Sequence, residues 1–235
     1  MSRTDSSAIR RWLFIREGCN LTQKLIFLGA GGIATVAFDI AIAHGFEVAG
    51  FLDDDPARHG TTFRGKTILG GVDLLPELKK QGLALASVAF GNCAGRLKSA
   101  ALVRSLGFEM PNLVHPSAVI APNAELGPGA IVMPGAIVST GAKVGANVIL
   151  NTACSVDHDC RVAEGAHIAP GVHISGRVTI GRAAWVGPGA VVLEDVNIGA
   201  DALVGASSLV LKDIPDGVVA YGTPARVIRP NTPAG

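Results

Sequence analysis

Aromatic residues make up only 5% of this 235-residue chain and charged residues only 17%. No run of Lys and Arg interleaves with aromatics, and the formal net charge is +1, which points away from nucleic acid and from an anionic membrane surface as partners. The four cysteines, Cys19, Cys93, Cys154 and Cys160, form no CxxC pair and are too sparse for a disulfide framework, so a reducing, cytoplasmic setting is expected. Near the start, the apolar stretch from Trp12 to Ile15 is too short for a signal-peptide core or a membrane span, and residues 1–23 read as a frayed extension. Glycine, in contrast, is plentiful at 30 residues, and 49% of the chain is hydrophobic, a balance that suggests tight, repeated turns around a sizeable core.

Repetition is what the second half shows. From Ile120, every sixth residue as far as Val210 is aliphatic, sixteen in succession, and none is charged. Four residues after each of these comes a second, mostly small series that begins Ala124, Ala130, Ala136 and contains Cys154 and Cys160. One branched and one small side chain per six residues fit a short strand plus a corner lining a narrow triangular prism, three hexads to a coil of eighteen. A β-sandwich would need turn signals every 8–12 residues without this phase-locking. Glycine follows the aliphatic position at Gly127, Gly145, Gly181, Gly187, Gly199 and Gly205, which suggests unusual backbone dihedrals there. A prism this thin exposes long faces, and self-association is expected.

The first half reads as a small α/β unit with a doubly wound parallel sheet. Residues 24–29 form a buried strand that opens through Ala30, Gly31 and Gly32 into a helix to His44; Phe46–Leu52 is a second strand ending in Asp53 and Asp54; Leu83–Gly91 is a third, followed by a helix to Leu106. Glycines 29, 31 and 32 could admit a pyrophosphate at a helix N-terminus, and Asp53 or Asp54 could accept from a ribose or base. The alternative is that the glycines only permit close strand–helix packing. With about 90 residues and no second half, a dinucleotide-dependent redox enzyme is not expected.

Together, the uninterrupted hexads, Gly29-Ala30-Gly31-Gly32, Phe51-Leu52-Asp53-Asp54, Gly91-Asn92 and Val114-His115-Pro116-Ser117-Ala118 resemble the bacterial hexapeptide-repeat acetyltransferases of nucleotide-linked sugars, of the UDP-4-amino-sugar and GDP-perosamine N-acetyltransferase type, with sialic acid O-acetyltransferases as relatives. The resemblance runs from about residue 24 to residue 229. It implies a left-handed β-helix, a homotrimer, acetyl-CoA as co-substrate and a nucleotide-linked amino sugar as acceptor. The expected domains are a nucleotide-sugar domain over 24–114, the acetyltransferase β-helix over 115–218, and a C-terminal loop and tail over 219–235. Nucleotide binding then carries over to Gly31, Gly32, Asp53, Asp54 and Gly91. The chain departs from the usual pattern at Ile33, Ala34 and Thr35, where relatives have His, a small residue and often Lys, and at Cys93, where Asn is common.

Polar residues cluster at Asn151, Thr152, Asp157, His158 and Asp159, and His158 stands third in its hexad, a position facing outward. Acetyl transfer from a thioester to an amine needs a base, a carboxylate that orients it, and a donor for the developing oxyanion. His158 supplies the base. By resemblance Asp159 is its carboxylate, with Asp157 the rival on spacing; the Gly176 amide meets the thioester carbonyl, His167 makes a second acetyl-CoA contact, and Pro188 and Ala206 line the pantetheine. Arg226, in the terminal Gly-Thr-Pro-Ala-Arg, is a candidate for a donor phosphate, a capping role being the alternative. Cys154 and Cys160 fall in the inward series, so direct transfer without an acyl-enzyme is expected. Two other readings remain open. One is a zinc-dependent hydratase like the γ-class carbonic anhydrases, resting on His158, His167 and His173, although no metal site is expected from their spacing; the other is a non-catalytic β-helix binding protein.

Overall fold

The computed structural model describes residues 23–232; the expected extension before Gln23, and Cys19 with it, lie outside the described residues. The described residues divide into two compact units, one up to Pro116 and one from Ser117.

In the first unit the α-helices and the strands of the five-stranded sheet are β1 (Lys24–Leu28), α1 (Gly32–Ala43), β2 (Glu47–Leu52), β3 (Thr62–Phe63), β4 (Lys66–Gly70), α2 (Leu75–Lys80), β5 (Leu85–Val88) and α3 (Cys93–Ser105). The sheet order is β3-β4-β2-β1-β5, and β4, β2, β1 and β5 run parallel. Side chains alternate across β1, so both faces are buried. Ile26 and Leu28 join Leu75, Ala100 and Val103 in one core, while on the other face Phe27 stacks on Phe51 at 5.5 Å, and Phe51 meets Phe38 of α1 at 6.0 Å and Phe63 at 4.9 Å.

The sheet is not wholly parallel, because β3 runs antiparallel to β4 as an edge hairpin. Its two-residue turn has positive φ at both Arg64 (49°) and Gly65 (73°), the primed-turn dihedrals whose twist matches the right-handed twist of the flanking strands. Arginine in a place that Asn or Asp would advertise hides this hairpin from the sequence.

The second unit is a parallel β-helix. Two-residue strands pair eighteen residues apart in three sheets, along Ile120–Val138–Val156–Ile174–Val192–Val210, Leu126–Val144–Val162–Ile180–Ile198 and Val132–Leu150–Ile168–Val186–Val204. Every member of the aliphatic series but Ile120 is buried, as is every member of the small series from Ala124 to Ile214. The prism interior is therefore wall-to-wall side chain, with a large group from one strand seated against a small one at the next corner.

The glycines after the aliphatic positions have a different cause from the one expected. None of Gly127, Gly145, Gly181 and Gly187 has a left-handed φ; instead, a Cβ on each would collide with backbone of the next coil, at 2.5 Å from Ala146 N for Gly127 and 2.7 Å from Glu164 N for Gly145. Left-handed dihedrals fall two residues later, at the corners, as at Gly141, Asp159, Arg177 and Asp195. The terminal stretch expected as a loop is a β-hairpin, Val218–Gly222 with Ala225–Pro230, whose first strand joins the last sheet through Leu203↔Val219 and Val204↔Ala220. Pairing across sixteen rather than eighteen residues is the slip of phase that obscured it. Among the described residues no helix is long and apolar enough to cross a membrane.

Candidate active site

Each unit presents a site of its own. In the first, β1, β2 and β5 end together around a cavity of about 320 Å³, where a doubly wound sheet takes its ligand. Leu28, Leu52, Val72 and Phe90 give it apolar walls, and Gly29–Gly31, Asp53, Asp54, Arg58 and Ser99 give it a polar rim. The glycines divide the work. A Cβ on Gly29 (φ +95°) would press on Phe90 and the Ala89 carbonyl at 3.0–3.1 Å, whereas Gly31 and Gly32 face open space. Close packing therefore explains Gly29 alone. Helix α1 begins at the exposed Gly32 without a side-chain cap, so no side chain of its own satisfies its first-turn N–H groups.

The two aspartates also differ. Asp53 accepts from Arg58 Nη1 at 2.6 Å, from Ala30 N at 3.3 Å and from Asp55 N at 3.1 Å, so it braces the glycine turn. Asp54 is exposed, with one long contact from Val72 N at 3.4 Å. Arg58, not anticipated from the sequence, also donates to Ala30 O at 2.7 Å and leans over Phe63. It lines the cavity beside a turn whose own Ile33, Ala34 and Thr35 supply no cation. An Asp–Pro–x–Arg run after a strand was the available signal.

In the β-helix, His158 and Gly176 lie at one edge of the prism, in corners that join the first sheet to the second. Asp159 takes φ +59°. That left-handed corner folds its carboxylate back onto the preceding residue, placing Oδ2 3.0 Å from His158 Nδ1. A carboxylate only accepts, so Nδ1 carries the proton and Nε2 presents its lone pair. Asp157 is occupied elsewhere, its Oδ1 accepting from the His158 backbone N–H at 2.7 Å. The imidazole, half exposed, lies over Gly176, where a Cβ would stand 2.5 Å from Nε2. One coil on, Arg177 donates its backbone N–H to His158 O at 2.9 Å and clamps Asp195 through Nε (2.6 Å) and Nη2 (2.7 Å), with Glu194 at 3.2 Å. The hydrogen bond from Arg177 holds the Asp195 carboxyl below its ordinary pKa, with the charge of Arg177 acting the same way.

The remaining residues gather near a different edge, in the third sheet and the corners that join it to the first. His167 is buried, with Nε2 3.1 Å from Asn151 Nδ2 and its ring edge-on to Trp185 at 6.4 Å. Pro188 and Ala206 are exposed and stacked one coil apart, and Ser207 N donates to Pro188 O. Arg226 is exposed on the hairpin. One prism thus keeps His158, Asp159 and Gly176 together and apart from His167, Pro188 and Ala206. His173 is on the first sheet, against Ser155 Oγ at 2.9 Å, and among the described residues no three His, Cys, Asp or Glu side chains converge as metal ligands.

Comparison with known proteins supplies a context for both sites. The PglD N-terminal domain family matches residues 24–102, and the bacterial transferase hexapeptide (six repeats) matches residues 177–212. Among solved structures, a histidine-to-asparagine mutant of perosamine N-acetyltransferase from Caulobacter crescentus, in complex with CoA and GDP-perosamine, superposes with a TM-score of 0.85 at 38% identity, over 88% of this chain and 98% of that one. The acetyltransferase domain of PglB from Neisseria gonorrhoeae FA1090, in complex with acetyl coenzyme A, gives 0.81 at 34% identity over 88% and 100%. WeeI from Acinetobacter baumannii AYE gives 0.80 at 26% identity over 88% and 100%. Curated protein sequences returned no match.

Proposed function

Because this chain belongs to the left-handed β-helix, hexapeptide-repeat family of nucleotide-sugar N-acetyltransferases, we propose that it transfers the acetyl group of acetyl-CoA to the amino group of a nucleotide-linked sugar, with His158 as general base. The observation that carries the assignment of the base is the His158 Nδ1–Asp159 pair at 3.0 Å, which leaves Nε2 to receive a proton. As the amine attacks the thioester carbonyl, Nε2 takes its proton while Asp159 keeps the ring in one tautomer and supports its charge. The Gly176 N–H makes no hydrogen bond among the described residues and lies in the corner beneath the imidazole, so it is available to the carbonyl oxygen as negative charge develops there. Collapse expels the CoA thiolate, and the proton held on His158 can pass to it.

Acetyl-CoA is the co-substrate in this reading, contacted by His167, Pro188 and Ala206 beyond Gly176. A ligand touching both sets must cross a whole sheet of one prism or lie between edges of two copies; we favour the second, in a homotrimer. The first unit holds the nucleotide, with Gly31, Gly32 and Gly91 toward the diphosphate and Asp54 toward the nucleoside, while Asp53 acts through Arg58 and the turn. A cytoplasmic place in bacterial surface-glycan synthesis belongs to the same proposal. The test is thiol release from acetyl-CoA with UDP- and GDP-linked amino and hydroxyl sugars, the products weighed by mass spectrometry. Acetylation of at least one amino sugar is expected, and absence of turnover across the panel would overturn the assignment.

A further inference from the structure

The largest fully buried side chain among the described residues is a charged one, Arg96 of α3. It occupies the apolar stripe of its helix with Ala100 and Val103, where a Leu or Met would pack without desolvation. Burial lowers its pKa from the usual arginine value. A buried guanidinium is weak evidence for stability, since apolar replacements of similar volume are often neutral or stabilising. What the charge holds is more telling. Nη1 donates to the carbonyls of Phe90 at 3.0 Å and Gly91 at 3.3 Å, and Nη2 reaches Cys93 Sγ at 3.7 Å.

Phe90 and Gly91 form the loop at the carboxyl end of β5. The Phe90 ring is a wall of the cavity and bears on Gly29 of the glycine turn, and Ser99, one turn beyond Arg96, reaches the same cavity. In a planar trans peptide, C=O and N–H point in opposite directions. Drawing two successive carbonyls inward to Arg96 therefore turns the N–H groups of Gly91 and Asn92 outward. Neither donates to an acceptor among the described residues. Successive outward amides form a concavity for acceptor oxygens.

We propose that Arg96 is a positioning residue for substrate, fixing the Phe90–Gly91 loop so that its amides meet the oxygens of the nucleoside diphosphate carried by the sugar. This rests on the reading of the first unit's cavity as the nucleotide site. The guanidinium touches no substrate; it acts through the loop, and its buried positive charge adds a field that favours an anion.

The experiment is calorimetric titration of the full chain with UDP and with GDP, for the native protein and Arg96→Met, beside steady-state kinetics. Arg96→Met should melt no earlier than the native protein, bind the preferred diphosphate about tenfold or more weaker, and raise KM for the nucleotide sugar in step, with kcat and KM for acetyl-CoA unchanged. Native-like affinity in a folded Arg96→Met would overturn the proposal. Arg96→Lys, which keeps a cation with three donors, should bind within about fivefold of native, and a folded Lys variant as weak as the Met one would also overturn it, as would the Lys variant's loss of binding if the Met variant fails to fold. Should the native protein bind neither diphosphate, the nucleotide reading of the cavity falls, whatever the variants do.

Discussion

Replacing Gly176 with alanine places a methyl carbon 2.5 Å from His158 Nε2 and 2.6 Å from Cε1. Carbon contacts settle near 3.5 Å, so the ring and the new methyl must part by about 1 Å. Gly176 does not use a left-handed φ, so the backbone accepts Ala, and the half-exposed imidazole is the partner free to swing. A displacement of about 1 Å at the reacting group is worth roughly two decades in rate. Gly176→Ala should therefore lose about 100-fold in kcat, read as thiol release from acetyl-CoA at saturating substrates, while its melting temperature stays near native. Gly145→Ala is the contrast. It adds the same methyl 2.7 Å from Glu164 N, a backbone atom that cannot move aside, and should lower stability by about 1–3 kcal/mol while kcat per folded enzyme holds. Native kcat in Gly176→Ala would refute the placement of the imidazole. A melting loss as large as that of Gly145→Ala would refute the claim that the ring, not the coil, yields.

Two further outcomes follow from the interior of the prism. Val186 is fully buried between Ile168 and Val204 in its file, so Val186→Asp should destabilise by about 4 kcal/mol or more, and an unchanged urea midpoint would contradict the assigned phase. Burial pushes the Cys154 thiol up to about 12 and raises that of Cys160 as well, so both are thiols at neutral pH. Cys154→Ala and Cys160→Ala should keep kcat per folded enzyme within about threefold, and quenched reactions should show no acetyl group on the protein; a labelled cysteine would replace direct transfer with an acyl-enzyme.

The β-helix was legible because a narrow prism repeats one steric demand at every coil, and a demand repeated sixteen times leaves a period that no single residue obscures. What that period did not disclose was why a glycine stands where it does: the spacing is the same whether a Cβ is barred by dihedral or by the coil above, and only the geometry at Gly127 and Gly145 separates the two. The edge hairpin at 62–70 escaped because Arg64 occupies a turn position without the usual turn chemistry. In the site, His158 stands out on spacing alone, but the choice between Asp157 and Asp159 does not. Adjacent residues on a strand face opposite ways, and only the left-handed corner at Asp159 brings neighbours face to face. Asp53 and Asp54 look alike in sequence, and their division depends on Arg58 having folded back to Asp53. Arg96 was hidden by its charge, which reads as surface until its place among Ala100 and Val103 is noticed.

The central claim is that one imidazole, held by Asp159 over Gly176, removes the proton from the acceptor amine. The most direct measurement is kcat of His158→Ala with acetyl-CoA and the acetylated amino sugar, with binding of both substrates and the oligomeric state checked against native. A fall of roughly two to four decades with substrate binding intact is predicted; turnover within a few-fold of native would contradict the account.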